Sequence, residues 1–249
     1  DFVNQQHRPL FSVECFPELA LADVVGDVMH PLIAKLAVAQ AIRQYVVEGG
    51  FLFAMCSGAD TFDLALAAAG LDIVPAEIDG DGQTPGVRGM LDYSGTLAFQ
   101  DFHPELNVME YEHADIDDPP PPALRNPLTD YFTLFEFSAR WDPVPTMLTQ
   151  NHVASVRGFM GQTTAFQPEM IKPGVVVLAK SPTTDAVRYL YGPAGQGFFA
   201  FYGGHDPEDY QHYVGDPPTD LSLHRNSPGY RLILNNVLFP AAKKQPQKT

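Results

Sequence analysis

Only two cysteines, Cys15 and Cys56, occur in 249 residues. That is too few for a disulfide framework, and they lack the paired spacing of a zinc site. Basic residues are scarce too: 15 Lys and Arg stand against 30 Asp and Glu, a formal charge of −15. Phosphate and anionic lipid heads are bound by clustered Lys and Arg, so this deficit argues against nucleic acid and membrane-surface partners. Lys243, Lys244 and Lys248 are the one basic gathering and read as a solvated tail. No apolar run reaches the length of about 18 residues that spans a membrane. The sequence opens at Asp1 rather than Met and shows no signal peptide. It is expected to be a processed or truncated piece, periplasmic or secreted if a leader has been removed and cytoplasmic otherwise. No cofactor and no metal are expected. Asp79-Gly80-Asp81-Gly82 looks superficially like a calcium loop, but the later ligands and closing Glu are missing, so it reads as a turn.

Against these absences, the hydrophobic share of 45% is ample for a core. The stretch 45–63 organises it. An amphipathic helix pattern over 31–48 starts at Pro31 and stops at Gly49-Gly50, a C-cap that glycine adopts cheaply. The wholly apolar run 51–55 suits a strand buried on both faces. Cys56 and Ser57-Gly58 follow, and a second helix pattern covers 59–69. Strand, sharp turn and helix, with a nucleophile at the turn, is the geometry of a nucleophile elbow. A thiol there stands at a helix N-terminus, whose dipole favours the thiolate. The competing reading is a small thiol packed like any other core hydrophobe. Asp60 and Thr61 read as helix caps.

Further strand patterns fall at 10–16, 71–74, 131–137 and 174–179, and a hairpin at 187–191 and 196–202 is joined by Gly192 to Gly195. A terminal amphipathic helix covers 228–239. The segment 76–130 is the least regular and leads into the stiff run Pro119 to Pro122, so it reads as a surface insertion. Helix, strand, elbow, helix and strand in succession imply one α/β domain over 1–249, with a parallel sheet covered on both faces.

A thiol nucleophile needs a base within hydrogen-bond reach and a carboxylate to orient that base. His103-Pro104-Glu105 is one candidate setting. His205 has the better one, because Gly203-Gly204 lets the chain turn sharply at the end of the strand pattern 196–202, where an elbow cysteine would also stand. Glu208 or Asp206 would orient it. Backbone N–H groups near Ser57, Gly58 and Gly204 would hold an oxyanion.

The elbow resembles the class I glutamine amidotransferase-like superfamily, whose pattern is Gly-x-Cys-x-Gly after a helix ending in Gly-Gly; Ala54 replaces the first glycine here. His103-Pro104-Glu105 matches that superfamily's His-Pro-Glu. The close of the chain, Gly195 to Tyr202, Gly204-His205-Asp206 and Pro228 to Phe239, is similar to the ThuA-like branch. Longer stretches look similar to bacterial proteins labelled asparagine synthetase B, although the Ser-Gly-Gly phosphate loop of the true enzyme is absent. The resemblance implies a flavodoxin-like three-layer sandwich with a mainly parallel sheet and irregular proline-rich insertions. It also implies that strands at the start of the sheet are missing or supplied elsewhere. Amide hydrolysis or ammonia transfer by Cys56, His205 and Glu208 or Asp206 is its implied chemistry. The alternative it implies is a non-catalytic module that binds a carbohydrate or small molecule with Trp141, Tyr202, His205 and Gln150. A third reading is a structural subunit of a larger envelope assembly.

Overall fold

The computed structural model describes residues 11–13, 31–110, 113–118, 128–135, 153–207 and 216–238. Seven strands form one sheet: β1 (Phe11–Val13), β2 (Phe51–Met55), β3 (Tyr131–Leu134), β4 (Ser155–Arg157), β5 (Val176–Lys180), β6 (Val187–Ala194) and β7 (Gly197–Tyr202). Their spatial order is β1-β2-β7-β6-β5-β3-β4. Four α-helices accompany them among the described residues: α1 (Pro31–Val47), α2 (Ser57–Ala67), the single turn α3 (Ala76–Asp79) and α4 (Pro228–Leu238).

β2 lies inside the sheet between β1 and β7, so the apolar run that builds it is buried at all five positions. Its alternate residues feed two cores. Leu52 and Ala54 join Phe199, Phe201 and Leu190 under Val46 of α1 and Phe62 and Leu66 of α2. Phe51, Phe53 and Met55 join Tyr189, Ala200 and Tyr202 on the opposite face, where Leu232 of α4 packs. Each fully buried side chain of this size contributes about 2 kcal/mol through burial.

The expected flavodoxin-like sandwich with a mainly parallel sheet is not what forms. Only β1–β2 and β2–β7 pair in parallel. β7–β6, β6–β5, β5–β3 and β3–β4 are all antiparallel. A parallel sheet needs a crossover of a dozen or more residues for each added strand. Here β6 and β7 are joined by the two-residue turn Gly195-Gln196, with Gly195 at φ 60°. Pro193, expected in a turn, pairs with Phe198 instead, which prolongs β6 to Ala194. The stretch 71–74, expected as a strand, is irregular because the Asp72 carboxylate accepts the Val74 N–H at 3.0 Å and closes a local turn. The mixed sheet with few helices likewise departs from the α/β amidotransferase architecture that the resemblance implied. Among the described residues no helix is long and apolar enough to cross a membrane.

Asp63 ties α2 to the segment that follows it. Fully buried, its carboxylate accepts the N–H groups of Leu97, Ala98 and Phe99 at 2.7, 2.7 and 2.9 Å. Burial raises its pKa from 3.8 to about 6, and these three hydrogen bonds and Lys172 offset only part of that rise. The native state therefore keeps a proton between those two values that the unfolded chain has already released. Stability contributed by the protonated form is fully present below 3.8 and is lost as pH rises through about 6. The loss is on the order of 3 kcal/mol. Urea titrations at pH 4 and pH 7 are expected to show the advantage of wild type over Asp63→Asn shrinking by that amount as pH rises; a constant difference would contradict it.

Candidate active site

Cys56 sits at the join between β2 and α2. Its N–H continues the ladder to Tyr202 O at 3.0 Å, and its own carbonyl accepts the Ala59 N–H at 3.0 Å, the first turn of the helix. To serve both elements the residue adopts φ 55° and ψ −142°, a backbone that non-glycine residues rarely take. Such strain costs about 1–3 kcal/mol and persists only where the surroundings enforce it. Its expected consequence is an inverted ranking: Cys56→Gly is more stable than Cys56→Ala by about 1 kcal/mol. Paired thermal melts check it, and the ordinary order, alanine above glycine, would contradict it.

Two further segments converge on the sulfur. Residues 158–163 cover it from one side, and the Gln162 N–H donates to Sγ at 3.0 Å. Only glycine fits at 161: a Cβ there would lie 2.7 Å from Sγ and 3.1 Å from His205 Cδ2, with the backbone at φ 153°. By the triangle inequality those two distances place Sγ and that imidazole carbon at most 5.8 Å apart. The second segment is the turn after β7, where Gly204 takes φ 79° and packs against the carbonyl of Phe159. The two are stitched together by Gly204 N–H to Thr163 O at 2.8 Å and His205 N–H to Met160 O at 2.7 Å.

His205 lies with its Nδ1 2.9 Å from Asp206 Oδ2. Cδ2, bonded to Nε2 and not to Nδ1, is the ring atom that a side chain at 161 would meet. The imidazole is part-exposed, whereas Cys56 has no exposed surface.

The other expected site residues divide. Ser57 and Gly58 are buried and open α2, so they lie beside the sulfur at the helix N-terminus. Tyr202 does not face a crevice. It is fully buried, stacks on Tyr189 with ring centroids 4.1 Å apart, and accepts a hydrogen bond from Asn236 Nδ2 of α4 at 3.1 Å. Glu208, Trp141 and Gln150 lie outside the described residues. His103 is a surface residue whose Nδ1 pairs with Asp115 at 2.9 Å, with Glu105 two residues on facing Arg88. Neither Asp60 nor Thr61 caps α2. The cap position is Cys56, and Thr61 Oγ1 donates back to the Ser57 carbonyl. Asp60 is wholly buried with neither oxygen in hydrogen-bonding geometry, and burial first, then the neighbouring Asp117 charge, push its carboxyl well above the usual range.

Gly161 and the Gln162 amide were missed from sequence. The signal available was the glycine spacing Gly158-Phe159-Met160-Gly161, two flexible points flanking a short covering segment. As for the acidic run at 79–82, α3 ends in it with Gly80 as a left-handed cap, and Asp72, Asp79 and Asp81 approach one another at the surface. No known protein-family model matches the chain, and no curated protein matches it.

Proposed function

We propose that this domain is a cysteine-dependent amide hydrolase in which Cys56 is the nucleophile, His205 the proton shuttle and Asp206 the orienting carboxylate. One observation supports the reading: a cysteine with a strained backbone at the join of β2 and α2, whose sulfur lies at most 5.8 Å from Cδ2 of an imidazole paired at Nδ1 with a carboxylate. Structural cysteines have no need of such a backbone, and positive φ at a non-glycine residue concentrates at functional sites.

In this reading His205 Nε2 takes the thiol proton and the thiolate adds to the amide carbon. The oxyanion that forms is met by the Gln162 amide, which points at the sulfur, and by the electropositive start of α2. His205 then returns the proton to the leaving nitrogen, and water attacks the resulting thioester with His205 again as base. Because the sulfur is fully covered, the glycine-flanked segment 158–161 has to lift to admit a carbonyl. One fold carries many chemistries, so the site and not the sheet bears on the reaction. The carbohydrate-binding alternative draws on Tyr202, whose ring is enclosed by Tyr189 and α4.

The test is a panel of amides, including free glutamine, asparagine and N-acyl nitroanilides, scored for released ammonia or amine. Release that disappears in Cys56→Ala is expected. Failure of every amide to turn over, together with no acyl adduct on Cys56 by intact mass, would overturn the reading.

A further inference from the structure

We infer that Asp117 is a positioning residue for the nucleophile, aiming the Gln162 amide at the Cys56 sulfur through the two peptide groups that follow Thr163. The inference rests on Cys56 being the reactive thiol. Residues 162–165 are held from outside the segment at nearly every peptide group. Gln162 N–H reaches Sγ at 3.0 Å. Thr163 O accepts from Gly204 N–H at 2.8 Å, and Thr164 O accepts from Arg188 Nη1 at 2.7 Å. The Thr164 and Ala165 N–H groups both converge on Asp117 Oδ1, at 3.0 and 3.2 Å. On the other side of Gln162 stands Gly161 at φ 153°, a residue with no side chain to restrain the peptide. Beyond Gly161, Met160 is held by His205 and Asp206, and on the C-terminal side of Gln162 Asp117 fixes two successive amides, so the Gln162 amide is aimed between two anchors, of which Asp117 is the side-chain one.

Asp117 is 7% exposed and lies close to the buried Asp60, whose carboxyl is pushed up first by burial and then by the Asp117 charge. Placing a carboxylate there is electrostatically unfavourable for both, so the site retains a cost that simple loop closure could have avoided with a neutral acceptor. The charged and titratable groups around the arrangement are Asp60 on α2, Asp118, whose N–H bonds the Ala165 carbonyl, Arg188 on β6 with its partner Asp130, and His205 paired with Asp206.

Two effects of the carboxylate on the thiol oppose each other. Its charge disfavours the thiolate, whereas the amide it aims favours the thiolate. Asp117→Asn removes the charge and keeps an acceptor oxygen; Asp117→Ala removes both. Thiolate absorbance near 240 nm, titrated against pH with the Cys56→Ala trace subtracted, reads Cys56 without requiring access to it. The expected result is a half-titration point in Asp117→Ala about one pH unit above that of Asp117→Asn, a tenfold loss of thiolate at a given pH. Coincident curves for the two folded variants would overturn the inference. Should Asp117→Ala fail to fold, Asp117→Ser, too short to reach both amides, replaces it with the same criterion. His205→Ala in the same titration separates the two ideas: if it leaves the curve unmoved, the nucleophile reading fails, and if it moves the curve while the Asp117 variants coincide, only the positioning role fails.

Discussion

Replacing His205 with alanine is expected to lower kcat for the amide that turns over by about a thousandfold while KM stays within about twofold. A fully buried sulfur with one backbone N–H on it gains some stabilisation as thiolate, but the proton must leave and later reach the departing nitrogen. An imidazole on the approaching side does both, and His205 Cδ2 is the ring atom that a side chain at 161 would meet at 3.1 Å. A thousandfold corresponds to about 4 kcal/mol of barrier, the ordinary size of a general acid–base contribution. Asp206→Asn is expected to cost less, about ten- to a hundredfold. The pair it makes with Nδ1 is partly solvated, so its orienting energy is screened. Equal losses in kcat/KM arising wholly from KM would assign His205 to binding rather than proton transfer.

The largest expected effect on stability comes from Arg188→Met. The guanidinium is 1% exposed and meets Asp130, 5% exposed, at 2.6 Å. Burial pushes the Asp130 carboxyl up, and Arg188 offsets only part of that rise. Removing the arginine leaves an uncompensated buried carboxylate, a loss of about 3–5 kcal/mol. Domains of this kind have only about 5–15 kcal/mol in total, so the variant should unfold at markedly lower denaturant. Arg188 also holds Thr164 O through Nη1 and accepts the Gly203 N–H on its backbone, so both segments that meet at the sulfur depend on it. Asp130→Leu added to Arg188→Met removes the stranded charge and is expected to recover much of the loss. If Arg188→Met alone costs under about 1 kcal/mol, the pair is not the buried anchor described here.

How much of this was written in local sequence differs by element. Phe51–Met55 was legible because five apolar residues after Gly49-Gly50 suit little else than a strand buried on both faces. The elbow was legible for the same reason, since Cys56 falls where that run gives way to a helix pattern. The turn that carries His205 could be placed because Gly203-Gly204 ends the last strand beside it. Strand order could not. The β6–β7 hairpin was legible from its glycine-rich turn, but the rest of the order depends on choices such as β5 pairing with β3, a partner more than 40 residues away, which no periodicity encodes. Asp60 was misread because an acid that caps a helix and one that is buried against it have the same spacing. Gln162 was invisible since it acts through its backbone, which every residue but proline possesses.

The central claim is that the Cys56 sulfur and the His205 ring face each other across Gly161. A three-carbon bifunctional alkylator, 1,3-dibromoacetone, joins a thiol to an imidazole only when the two are neighbours. Digestion and mass spectrometry are expected to recover the Cys56 peptide covalently bridged to the His205 peptide, with the bridge lost in His205→Ala. A reagent-modified Cys56 with no bridge to His205, or a bridge to a different histidine, would contradict the account.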